Sequence, residues 1–114
     1  MHILILEDSD ERIARFEDAL SGHNVTVCRA AKTAIGELYD RTFDYIFLDY
    51  DLGEGNKNGA EVALYLSRST RSSEQVIIHS MNPVGQDEIH ALLPGARVVP
   101  FNILIKELKG ECLE

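Results

Sequence analysis

Residues 45–51 read YIFLDYD, an apolar run that ends in Asp49 and Asp51. Because the run has no polar face, it predicts a strand covered on both sides, as strands are in a parallel sheet. In sheets of this kind, ligands bind in the crevice beyond the carboxyl ends of the strands. The two aspartates therefore mark a candidate ligand site at that edge of the sheet.

A second acidic pair follows the first apolar run of the chain. Residues 3–6 read ILIL, and Glu7 and Asp8 come directly after them. If both strand ends meet at one edge, their carboxylates repel one another unless a cation binds. Oxygen ligands favour a hard ion, so the pattern predicts Mg²⁺, with Mn²⁺ as its substitute. The candidate ligands are Glu7, Asp8, Asp49 and Asp51.

The rest of the chain alternates strand and helix without interruption. Short apolar runs predict strands at residues 3–6, 25–28, 45–49, 76–79 and 97–100. Amphipathic stretches predict helices from Ser9 or Asp10 up to Gly22, over 31–39, 59–69 and 83–93, and from about Asn102. This alternation predicts an α/β fold, a doubly wound five-stranded parallel sheet of order 2-1-3-4-5 in a three-layer sandwich.

The composition limits the classes of function. The 114 residues predict a single domain, residues 1–114, without an effector domain. A net charge of -8, with no stripe of Lys and Arg, argues against an extended nucleic-acid footprint. No apolar run suits a membrane span, and the start lacks a basic region, so we expect a cytoplasmic protein. The negative net charge still allows binding of a single phosphate through a metal ion, because the ion reverses the local field.

The chain resembles the receiver domains of two-component response regulators over nearly its whole length. The resemblance rests on LED at residues 6–8, FLD at 47–49, NG at 58–59 and IIHS at 77–80. It implies a flavodoxin-like receiver fold in which the acidic pair and a phosphoacceptor aspartate hold Mg²⁺. The equivalents here are Glu7, Asp8 and Asp49, with Ser80 at the hydroxyl position that contacts the phosphoryl group. Receivers also carry a Lys before a Pro after the fifth strand, whereas this chain has Val99.

A more specific resemblance is to the cyclic-phosphate-processing receiver-like family of bacteria and phages. Its paired motifs match LDYDLG at residues 48–53 and HSMNPVG at residues 79–85. The resemblance implies action on cyclic phosphates, such as those at RNA ends during repair. The family more often has His where this chain has Tyr50.

The acidic residues also have structural interpretations. Asp49 and Asp51 are two residues apart, so in an extended segment both side chains leave one face and reach one ion. Alternatively, Asp51 begins a polar loop through an Asx turn. Glu7 and Asp8 are also suited to capping the first helix, although the fold places them beside Asp49.

The motif at residues 79–85 supplies the remaining candidates. His79 is either a packed core histidine or a general acid or base, since imidazole moves protons at neutral pH. Asn82 suits both a helix cap and an anion site at the same helix terminus. Ser80, Asn82 and Gly85 are the candidate phosphate-binding residues, Gly85 by letting the backbone approach a ligand. Side chains alternate along a strand, so His79 and Ser80 face the ligand together only if the strand bends or ends there.

Two functions follow for the domain. In the first, it binds a divalent metal and recognises or processes a small phosphate such as a cyclic nucleotide phosphate, as a metal-dependent phosphoesterase with His79 and Asp49 as catalytic residues. In the alternative, it is a response regulator phosphorylated on Asp49 that signals through a protein partner. A pseudo-receiver that only binds protein is disfavoured, because a dead site has no reason to keep repelling carboxylates.

Overall fold

The structure is a computed structural model that describes residues 1–52, 58–69 and 75–110. Within these residues five strands alternate with five helices. The strands are β1 His2–Leu6, β2 Asn24–Cys28, β3 Tyr45–Leu48, β4 Gln75–Ile78 and β5 Arg97–Val98. The helices are α1 Asp10–Ala19, α2 Ala31–Asp40, α3 Gly59–Arg68, α4 Pro83–Leu92 and α5 Phe101–Leu108. Gly53, the last residue of the motif at residues 48–53, lies outside the described residues.

The strands form one parallel sheet in the order β2-β1-β3-β4-β5, which confirms the predicted fold and topology. Side chains alternate between two apolar layers, as the pleat of a strand requires. Leu4, Leu6, Ile46 and Leu48 pack with α2, α3 and α4. The residues between them pack with α1 and α5, namely Ile3, Ile5, Phe47 and Ile77. Both faces of the sheet are thus covered, as the uniformly apolar runs predict.

Two strand ends differ from the prediction in ways that affect the site. β4 ends at Ile78 rather than at His79, although the His79 N–H still donates to Leu48 O. β5 covers only Arg97–Val98, so the predicted strand over 97–100 is wrong in its second half. Pro100 stands at the N-cap of α5 and lacks the N–H that a longer ladder needs.

The turn after β3 depends on a glycine. A Cβ at Gly59 would lie 1.8 Å from the backbone oxygen of Asp49, so only glycine lets α3 begin this close to the strand end. Asn58 caps the helix through the N–H of Ala60. Across the described ranges, no helix has the length and apolar character that a bilayer crossing requires.

Candidate functional site

The polar residues that follow β1, β3 and β4 form one row across the sheet. The backbone ladder continues one residue past the strands: Asp49 N–H donates to Leu6 O at 3.2 Å, and His79 N–H donates to Leu48 O at 2.9 Å. Alternation places the side chains of this row on the α1 and α5 side. The row is therefore Glu7, Asp49 and His79, with one further residue, Val99, at its β5 end.

Glu7 and His79 form a buried pair in this row. Nε2 of His79 lies 2.9 Å from Oε1 of Glu7, and neither side chain is more than 1% exposed. The other carboxylate oxygen accepts the backbone N–H groups of Asp8 and Ser9. Burial alone would raise the pKa of Glu7, but the hydrogen bond and charge of His79, with the Ser9 N–H, hold that pKa below 4.5. Glu7 is thus a fixed, ionised carboxylate.

The Asp49 carboxylate accepts fewer hydrogen bonds than the Glu7 carboxylate. Its Oδ1 accepts the N–H of Tyr50 at 2.8 Å, and its Oδ2 has an ion pair with Arg12 at 4.0 Å, too long for a hydrogen bond. Burial, with the negative charge of Glu7 added to it, raises the pKa of Asp49 from 3.8 to about 6. The carboxylate therefore lies in a place where a further positive charge would stabilise its ionised form.

Among the described residues, one group could hold a metal ion. Glu7, Asp49 and His79 each offer a ligand atom, and these atoms lie within 4.8 Å of one another. The two carboxylates suit Mg²⁺ or Mn²⁺, while an imidazole is a more typical ligand of later transition metals. The donor set and the raised pKa of Asp49 both fit a divalent cation at this edge.

Two of the four predicted metal ligands lie outside this compact group, and their metal-binding role stays a prediction. Asp8 and Asp51 do not belong to the compact group. Asp8 follows Glu7 in an extended segment, so its side chain leaves the other face and is partly exposed. Asp51 is exposed, and its Oδ2 accepts the Asn82 side-chain amide at 3.2 Å. The position of Asp51 agrees better with the loop interpretation than with the metal interpretation.

The structure buries His79 completely. Its ring packs edge-on against Phe16, with ring centroids 5.1 Å apart, and lies near Phe101. Because the Glu7 carboxylate accepts from Nε2, that nitrogen carries a proton, and Nδ1 is buried without a partner in the described chain. A general acid must reach the reacting atom, and a fully buried ring does not. The catalytic role of His79 stays a prediction, and it is compatible with this burial only if Glu7 or Asp49 relays its effect.

The motif residues after His79 build the start of α4. Oδ1 of Asn82 accepts the N–H groups of Val84 and Gly85, which confirms the predicted helix cap. The Ser80 hydroxyl oxygen accepts the Asn82 N–H at 3.1 Å. Both side chains therefore order the amino terminus of α4 beside the row. Their phosphate-binding role stays a prediction.

Gly85 lies against an aromatic ring, and its phosphate-binding role stays a prediction. A Cβ at this position would lie 2.3 Å from the ring of Tyr50, so the glycine makes room for that ring. The Tyr50 hydroxyl donates to Oε2 of Glu88 on α4 at 2.6 Å, and this bond raises the pKa of Tyr50. Tyr50, which stands where the resembling family often has His, thus ties the β3 end to α4.

Arg12 is a site residue that sequence reasoning missed. Its guanidinium lies 3.8 Å from Oε1 of Glu7 and 5.2 Å from the ring centre of Phe101. The signal was the capped helix start: Ser9 accepts the Arg12 N–H, which fixes Arg12 in the first turn above the β1 end. Directly after β5, by contrast, the residue that completes the row is the buried, apolar Val99.

The sequence matches the model of a known domain family. The family model of the cyclic-phosphate processing receiver domain matches residues 2–95. The comparison with curated proteins gave no match.

Three solved structures show the fold. The phosphorylated cyanobacterial phytochrome response regulator RcpA has a TM-score of 0.79 and 21% identity, covering 96% of this chain and 89% of that one. A response regulator in its Mn²⁺-bound form has a TM-score of 0.73 and 20% identity, with the same coverage of both chains. A CheY-like receiver domain from Methylobacillus flagellatus has a TM-score of 0.74 and 16% identity, covering 97% and 94%.

Proposed function

The chain belongs to the cyclic-phosphate processing receiver family, and on this premise we propose that it binds a divalent metal and a small cyclic phosphate at the carboxyl edge of its sheet. The observation that carries the proposal is the buried row of Glu7, Asp49 and His79, whose ligand atoms lie within 4.8 Å of one another. Three ionisable groups this close and this buried are typical of functional sites.

Mg²⁺ or Mn²⁺ is the ion that the carboxylates suit best. Asp49 would hold it through Oδ2, the oxygen that has no hydrogen bond within the described residues, and Glu7 and the partly exposed Asp8 would flank it. When bound, the ion supplies positive charge against the phosphate oxygens and lowers the pKa of a bound water. Glu7 is already held by His79 and two backbone N–H groups, so its carboxylate is oriented before any ligand arrives.

Opening a 2′,3′-cyclic phosphate needs three events. A water oxygen bonds to phosphorus and releases a proton, one of the two ester P–O bonds breaks, and the released sugar oxygen takes a proton from water. Asp49 would hold the ion in its ionised form, because a bound cation lowers the pKa of the carboxylate that ligates it. His79 acts as a positioning residue here, since its hydrogen bond fixes Glu7 beside Asp49. The amino terminus of α4 would offer its positive dipole to the phosphate oxygens, while Asn82 accepts the Val84 and Gly85 N–H groups.

Phosphorylation of Asp49 is the second candidate, and the receiver fold favours it. One residue of the row argues against phosphorylation, because Val99 is apolar and buried where receivers are expected to place a lysine. Signalling by this route would also require a protein partner.

The proposal is tested by calorimetric titration of 2′,3′-cyclic AMP into the protein. We expect saturable binding with Mg²⁺ and none in chelator, because ligand and carboxylates repel each other without the ion. Asp49→Asn should abolish binding, and Asp87→Asn, an exposed control on α4, should leave it unchanged. Equal binding with and without metal, or no binding at all, would refute the proposed function.

A further inference from the structure

The row lacks a positive side chain from β5. A phosphate group bound near Asp49 brings negative charge to a place that already holds two carboxylates, and Val99 offers no compensation. A bound divalent ion offsets part of this charge. A site for phosphate nevertheless benefits from a donor that bonds directly to its oxygens.

Arg12 is placed to be that donor. Its Nη1 lies 3.8 Å from Glu7 Oε1 and 4.0 Å from Asp49 Oδ2, beyond the 2.7–2.9 Å of a charge-assisted hydrogen bond. Within the described chain, no hydrogen bond consumes the guanidinium donors. The side chain is 30% exposed, so solvent reaches it at the mouth of the row.

The packing of Arg12 holds it in this position. The guanidinium carbon lies 5.2 Å from the ring centre of Phe101, the residue that follows Pro100 at the start of α5. A guanidinium stacked on an aromatic ring keeps its planar N–H fork free for bidentate bonding to phosphate. Arg15 lies over the same ring at the same distance, but it is more exposed and has no ion pair to the row among the described residues.

We propose that Arg12, supplied by α1, is the phosphate-binding cation of this site and replaces the charge that β5 lacks at Val99. The inference rests on the proposed function, since it assumes a phosphate ligand beside Asp49. It makes Arg12 a specificity residue for anions: the guanidinium favours phosphate and disfavours a metal cation at the same edge.

The test compares Arg12→Gln with Arg15→Gln, which removes the same charge from the same aromatic ring. Each variant is titrated with 2′,3′-cyclic AMP in saturating Mg²⁺, and separately with Mg²⁺ alone. We expect Arg12→Gln to weaken nucleotide binding about tenfold or more, the loss of one charge-assisted hydrogen bond. Mg²⁺ affinity should stay equal or rise, because a repelling charge has gone. Arg15→Gln should change both affinities less than about twofold.

The opposite directions separate ligand binding from a merely structural role, which would weaken both affinities together. Nucleotide binding by Arg12→Gln equal to that of the unchanged protein overturns the inference and leaves the proposed function standing. If the unchanged protein binds no cyclic nucleotide, the same variants are titrated with inorganic phosphate. Phosphate binding that depends on Arg12 keeps the inference and refutes the substrate class, and phosphate binding without that dependence, or none, overturns the inference.

Discussion

Asp49→Asn is expected to stabilise the metal-free protein at neutral pH. Burial raises the pKa of Asp49 to about 6 in the folded state, against 3.8 for a free side chain. The folded state therefore favours the protonated carboxyl, and the stability that Asp49 contributes is complete below about pH 4 and lost as the pH rises through about 6. Asparagine keeps the acceptor for the Tyr50 N–H and carries no charge at any pH.

The expected gain in the free energy of unfolding is about 2–3 kcal/mol at pH values above about 7, from about 1.4 kcal/mol per pKa unit. It should shrink towards zero near about pH 4, where Asp49 is neutral in both states. Urea denaturation in chelator across this range measures the difference between variant and unchanged protein. Asp87→Asn is the control and should show no such trend. A gain that does not depend on pH, or a loss at neutral pH, would contradict the raised pKa.

Mg²⁺ provides the second half of this test. The ion should stabilise the unchanged protein at neutral pH by mass action, because it binds the folded state. Asp49→Asn should respond far less. The difference in the free energy of unfolding between the two proteins should therefore shrink or change sign as Mg²⁺ is added. An equal response of both proteins would place the ion elsewhere.

His79→Leu is expected to cause the largest loss of stability. It leaves the Glu7 carboxylate buried without its nearest partner, and removing one member of a buried pair typically costs about 3–5 kcal/mol. Leucine has a similar volume to histidine, so the loss should come from charge rather than from a cavity. Urea denaturation in chelator measures it, with His90→Leu on the exposed face of α4 as a control expected within about 0.5 kcal/mol.

A rescue variant identifies the cause. If the unpaired carboxylate is responsible, Glu7→Leu combined with His79→Leu should recover most of the loss, since apolar side chains replace a buried pair well. A double variant no more stable than His79→Leu would show that the imidazole matters through its packing on Phe16.

Much of the fold was predictable because its strands are uniformly apolar and end in polar residues. The runs at residues 3–6 and 45–48 fixed which strands are buried, and the acids after them fixed the edge at which Glu7 and Asp49 meet. Side-chain alternation then places Glu7 and Asp8 on opposite faces of the sheet, and likewise His79 and Ser80. This can be applied only once the ends of the strands are known. The sequence does not show that β4 ends at Ile78.

The remaining features depend on contacts between distant segments. Arg12 reaches the row because α1 packs beside α5 and its side chain lies on Phe101. The ring of Tyr50 occupies the space that a side chain at Gly85 would need. The two residues are 35 positions apart, so no local pattern reveals this contact. Local rules gave the Asn82 cap correctly, since a cap depends only on its own helix.

Phosphorus NMR of 2′,3′-cyclic AMP incubated with the protein and Mg²⁺ tests the central proposal most directly. The cyclic phosphate signal should convert to that of a phosphomonoester, because water opens one ester bond at the edge formed by Glu7 and Asp49, and Asp49→Asn should stop the conversion. A parallel sample with acetyl phosphate, analysed by mass spectrometry, should show little stable phosphorylation of Asp49. An unchanged cyclic phosphate together with stoichiometric phosphorylation of Asp49 would contradict phosphate processing and assign the domain to signalling.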